Sequence, residues 1–190
     1  MQRNGAMQGI GLTKNVAGFN LLELMITLSL MSILSAVALP NYNNWTAAQR
    51  AEADARTVLR LIQMTRSEAI YSGKQLTFCG TDENQLCVGG QVRYWQVFED
   101  SNANGRIDDG ETLFQTAEQS TIALTSVISS RNPQRIIFSS AGSADSFGSA
   151  FICHRFGSKP ILKRISVNRS GRAYIVSKKK ITKHLIEKYC

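Results

Sequence analysis

Histidine is the scarcest of the residues that carry chemistry: His154 and His184 are the only two in 190 residues. No nucleophile motif accompanies them, and no glycine-rich loop is placed to cradle phosphate. That combination reads as a protein that is not an enzyme. Three prolines and fourteen glycines are too few for a collagen-like or low-complexity chain, and a hydrophobic content of 43% excludes a wholly disordered one. There is no internal repeat, and Lys178-Lys179-Lys180 is the one biased tract. Acidic residues are missing from the first eighteen positions and nearly so from the last forty. Phe151–Cys190 holds eleven of the 22 Lys and Arg against Glu187 alone, whereas the stretch between is slightly acidic. The basicity belongs to one end of the chain.

What is abundant is a single apolar run, Phe19–Leu39, 21 residues with Glu23 as its one charge. As a helix it would extend about 32 Å, enough for the hydrocarbon core of a bilayer. The basic, acid-free residues before it place the amino end in the cytoplasm by the positive-inside tendency. A secretory signal is the rival reading, but the run is long and Ala36-Val37-Ala38-Leu39-Pro40 continues into helix-like sequence. An acid inside such a run is costly unless paired, so Glu23 is either a functional residue or one that snorkels to the interface.

Gly18-Phe19, Glu23 four residues on and Pro40 near the end of the run together resemble the prepilin signature of type IV pilins and type II secretion pseudopilins. The resemblance implies a leader, residues 1–18, that a prepilin peptidase removes by cutting between Gly18 and Phe19. It also implies N-methylation of Phe19, and pairing of Glu23 with a neighbouring subunit's amino terminus during assembly. Two opposite charges in low dielectric each supply what the other lacks.

From residue 40 to 72 the helical period continues: Val58, Leu59, Ile62, Thr65, Ala69 and Ile70 recur at spacings of three and four. Arg50, Arg56, Arg60 and Arg66 fall mostly between them and read as a solvated face. Ser72-Gly73-Lys74 is the expected stop. Eight short β-like runs follow: Gln75–Cys79, Gln91–Phe98, Thr112–Phe114, Thr121–Ile128, Arg135–Phe138, Ala150–Arg155, Leu162–Val167 and Arg172–Val176. The expected fold class is α+β: a long amino-terminal helix, membrane-spanning in its first half (19–39), packed on an antiparallel β-rich domain (73–176). A basic tail, 177–190, ends the chain.

YWQVFEDSNANGRIDDGETLF and the later SVNRSGRAYIV are similar to minor pilins of the FimT/GspH family, in which an aromatic-rich strand, an Asx-Gly turn and a late S-G-R strand recur in that order. Asp100, Asn102, Asn104, Asp108 and Glu111, with Gly105, also have the spacing of an EF-hand calcium loop. The flanks read as strand, and Asx-Gly clusters also make hairpin turns without metal. The expectation is therefore no cofactor, or calcium alone. Cys79, Cys87, Cys153 and Cys190 allow three pairings. The first two would close a short loop and the last two would tie down the basic tail. C-x₇-C is not a zinc spacing, so disulfides are the expectation.

Arg164, Arg169, Gly171, Arg172, Lys178, Lys179 and Lys180 lie in the cationic region, where several Lys and Arg can hold DNA phosphates without reading sequence. Some FimT-type minor pilins bind DNA in natural transformation through a late G-R-x-R motif. Here Gly171-Arg172 match and Tyr174 stands at the second arginine. A solvated tail, or one held on lipid or on another pilin, is the other reading. The resemblance implies a minor pilin near the tip of a type IV pilus, or alternatively a GspH-type pseudopilin of a type II secretion system. Its expected partners are other pilins or pseudopilins, the prepilin peptidase, the bacterial inner membrane and, in the first case, DNA; the globular part would be periplasmic.

Overall fold

In the computed structural model the described residues are 18 and 20–190, except 91, 119–122, 131, 133 and 157–158; side chains at 37–41, 43–44, 124, 156 and 159 are also outside the description. The leader up to residue 17 and Phe19 therefore lie outside the described residues. The chain divides at Pro40 into two compact units, and helix α1 (Leu21–Ser72) contributes to each.

In the first unit the Asn20 side chain accepts the Leu22 N–H and so caps α1. Glu23 lies in the first turn, where a negative charge suits the helix dipole. Side chains from Leu21 to Ala36 are exposed. The hydroxyls of Thr27, Ser29, Ser32 and Ser35 donate to carbonyls three or four residues earlier, so the helix hides its own polar groups. Among the described residues, no helix is long and apolar enough to cross a membrane.

In the second unit α1 buries Ala47, Ala51, Ala55, Val58, Ile62, Thr65 and Ala69, a stripe at steps of three and four. The small residues come first and let the helix approach closely; Val58 and Ile62 then fill the core. Gly73, at φ +68°, ends the helix where a side chain would be strained. Beyond it lie β1 (Leu76–Thr81), β2 (Tyr94–Glu99), β3 (Leu113–Glu118), β4 (Ala123–Ser129), β5 (Ile136–Phe138), β6 (Ala144–Ser146), β7 (Gly148–Phe156), β8 (Lys159–Val167) and β9 (Ala173–Ile175). They form a five-stranded sheet ordered β3-β2-β1-β5-β6 and a four-stranded sheet ordered β4-β7-β8-β9. Every pairing is antiparallel. One buried cluster joins the helix stripe to Leu76, Phe78 and Trp95 of the first sheet and to Val127, Ile152 and Ile165 of the second. Phe78 stacks on Trp95 at 5.4 Å.

The eight expected strands are present with shifted ends. Two elements were not expected: the short edge strand β6, and helix α2 (Lys183–Tyr189) after a 3₁₀ turn at Lys178–Lys180. The segment expected to be a basic tail is thus folded. Ile181, Leu185, Ile186 and Tyr189 pack on Phe151, Cys153 and Leu162, and Tyr189 stacks on Phe151 at 4.0 Å.

Candidate functional site

Gly18 is exposed with open space around it, and Glu23 is exposed on the first turn of α1. Phe19, the expected new amino terminus, lies outside the described residues.

The Asp100–Glu111 loop closes on its own hydrogen bonds. Asp100 is fully buried; one carboxylate oxygen accepts the Asn104 N–H, and the other accepts the Gly105 N–H and the Thr77 hydroxyl. The Arg135 guanidinium lies 3.5 Å from that second oxygen and also donates to the Ala103 carbonyl. The amides of Asn102 and Asn104 both donate to Asp108, and Glu111 accepts the N–H groups of Ser101 and Asp108. The hydrogen bonds from Asn102 and Asn104 hold the Asp108 carboxyl below its usual range. Ile107 packs on the cluster of Cys79, Cys87 and Phe98. The loop thus brings Asn102, Asn104, Asp108 and Glu111 together, while Asp100, the first of the expected ligands, faces inward and has its charge met by Arg135. Among the described residues, there is no group of three His, Cys, Asp or Glu that could hold a metal ion.

Two disulfides form, Cys79–Cys87 and Cys153–Cys190. The first closes the turn after β1; the second fastens α2 to β7.

The basic residues separate by role. Arg164 is half-buried, donates to the Ser149 hydroxyl and lies over the Phe151 ring. Arg169 lies 5.1 Å from the Phe147 ring centroid. Gly171 belongs to the packing: at φ +77°, an added Cβ would come within 2.1 Å of the Gly142 carbonyl oxygen and 2.8 Å of Arg66. Arg66 in turn donates to that carbonyl, so it is a bonded helix residue and not part of a solvated face. Arg172, Tyr174 and Lys178–Lys180 are exposed. Arg172 and the lysines lie at opposite ends of β9.

Sequence reading missed the ties between α1 and the second sheet. His154, buried on β7, bonds Asp54 at 2.8 Å, and Lys163 on β8 donates to Glu52. That hydrogen bond from Lys163 lowers the Glu52 carboxyl below its ordinary value, burial opposes the shift, and Arg56 adds to it. Partners more than 100 residues apart leave no local pattern.

A helix packed on two antiparallel sheets is the form of a pilin-type subunit. A crystal structure of the type IV minor pilin FimU from Pseudomonas aeruginosa shares it, the match covering 73% of this chain and 97% of that one at TM-score 0.55 and 12% identity. A second crystal form covers 70% and 97% at TM-score 0.49 and 12% identity. No curated protein matches. Residues 54–171 match the family described as type II transport protein GspH, and the chain belongs to that family. It is a structural protein of the minor pilin and pseudopilin class, not an enzyme; it is a component of a pilus or pseudopilus and its partners are other pilins or pseudopilins.

Proposed function

We propose that the chain is a minor pilin of a type IV pilus, placed near the tip, that contacts DNA during natural transformation. It is made as a prepilin, cut between Gly18 and Phe19 and methylated on Phe19. Until assembly it is held in the inner membrane by residues 19–39, with the domain in the periplasm. The internally bonded hydroxyls of Thr27, Ser29, Ser32 and Ser35 suit that helix to lipid, where an unmade hydrogen bond is costly. Glu23 then pairs with a neighbour's amino terminus. Mass spectrometry should find mature chains starting at methylated Phe19, and Glu23→Ala should insert in membranes but be lost from sheared filaments. An intact leader in cells with active prepilin peptidase refutes the processing.

The observation that carries DNA contact is the exposed stripe of Arg172, Tyr174 and Lys178–Lys180. Binding to duplex DNA should fall linearly with salt on a log–log plot, with little sequence preference. Arg172→Gln, or replacement of the three lysines, should reduce the slope by roughly 0.7–0.9 for each phosphate that the protein no longer neutralises. No binding at about tens of micromolar protein in about 150 mM salt refutes it. The family description favours a second reading, a minor pseudopilin of a type II secretion system, for which no such binding is expected.

A further inference from the structure

Tyr42 and Trp45 form an exposed aromatic pair near the start of the second unit. Each is 60% exposed, and their rings lie 6.2 Å apart on one side of α1. The other tryptophan, Trp95, is 2% exposed in the core. The domain does not cover the pair, because the buried stripe of the helix begins only at Ala47. On the other side in sequence, the apolar run ends at Leu39, and no charged residue occurs between Glu23 and Arg50.

We propose that Tyr42 and Trp45 form an aromatic anchor seated in the headgroup layer of the bilayer while the chain is membrane-bound; the inference rests on the membrane anchoring proposed above. At helical rise, Tyr42 lies about 5 Å and Trp45 about 9 Å beyond Leu39. The headgroup layer adds about 5–7 Å on each side of the hydrocarbon. Cα–Cβ bonds on a helix tilt toward its amino terminus, so the Trp45 ring leans back toward that layer. Tyr and Trp suit it because an apolar ring meets the acyl boundary while the O–H or N–H stays wet. Arg50, exposed about 16 Å beyond Leu39 by the same rise, lies outside that layer but close enough to be attracted by anionic headgroups. Acidic groups do not intervene. The pair thus fixes how deep the helix sits and keeps the first residues of the domain clear of lipid.

The test uses the full chain reconstituted in phosphatidylcholine–phosphatidylglycerol vesicles, with flotation as an independent measure of membrane attachment. Because the chain has two tryptophans, subtracting the spectrum of Trp45→Phe isolates Trp45. In floating protein, Trp45 emission should move to shorter wavelength, and lipids brominated next to the headgroup should quench it more than those brominated at mid-chain. Trp95 should respond to neither. Floating protein whose Trp45 stays open to an aqueous quencher and blind to bromine overturns the anchor and leaves membrane attachment standing. Strongest quenching at mid-chain overturns the interfacial placement. Shielding that disappears on dilution of the protein assigns the patch to a second copy and overturns the lipid contact. Protein that fails to float overturns the membrane reading and the anchor with it.

Discussion

Replacing Arg135 with methionine should be among the most damaging single changes in the protein. Methionine keeps the length and the apolar stem of the side chain but removes its charge. Arg135 is 3% exposed and Asp100 is 0% exposed, so the carboxylate would be left in the interior with no cation facing it. Breaking a buried pair from one side costs about 3–5 kcal/mol. The guanidinium also bonds the carbonyl of Ala103, which is held at φ +56° where an alanine is strained, so the loop loses a support as well as a charge. For the compact unit Asn41–Cys190, 150 residues, each kcal/mol moves the melting midpoint by about 2–4 °C, a fall of about 6–20 °C in all. Calorimetry of the oxidised domain measures it. Asp100→Asn in the same background should cost less than the sum of the two single changes, with a coupling of about 0.5–3 kcal/mol. Because Arg135 already meets the charge of Asp100, millimolar calcium added after chelator treatment should leave the wild-type curve in place. An Arg135→Met domain melting within about 2 °C of wild type, or a calcium-dependent rise in the wild-type midpoint, would refute the reasoning.

Two neighbouring substitutions should separate packing from binding in the late S-G-R segment. Gly171→Ala combines a left-handed backbone with a contact against the Gly142 carbonyl and should cost about 2–5 kcal/mol, read from denaturant midpoints. Arg172→Gln should leave those midpoints within about 0.5 kcal/mol while weakening DNA binding. The pair of Glu52 with Lys163 predicts a pH dependence. The folded carboxyl is lowered from 4.5, so its contribution is fully present above that value and is lost as pH falls through the lower folded value. Melting midpoints in acid should therefore fall less steeply in Glu52→Gln than in wild type.

Strands whose apolar residues alternate between turn clusters were legible because a half-buried strand needs that pattern. β6 was not: Ala144-Asp145-Ser146 is a three-residue edge held by pairing with β5 and by the Arg169 carbonyl, to which Ala144 donates. The carboxyl-terminal helix was obscured by its lysines, although Leu185, Ile186 and Tyr189 carry a helical spacing that its covalent tie to β7 makes usable. The Asp100 loop was legible as a turn, but the inward aim of its first carboxylate depends on Arg135, 35 positions later and just before β5. Gly171 looked like part of a binding motif. Its role appears only when Arg66 and the Gly142 carbonyl are brought against it.

The contacts that fix α1 to the two sheets also set an order of events. Asp54 waits 100 positions for His154, Glu52 waits 111 for Lys163, and Arg66 waits 76 for the Gly142 carbonyl. During synthesis the chain emerges amino end first, so the alanine-rich stripe of the helix is made long before anything exists to cover it. High contact order of this kind slows folding, because loop closure precedes its reward. The helix must therefore spend that interval bare, and a bare amphipathic helix is a target for chaperones and proteases. A chain truncated before Gly142 should keep the helix yet lack all three ties that seat it, and its abundance in cells should track protease activity more closely than transcription does.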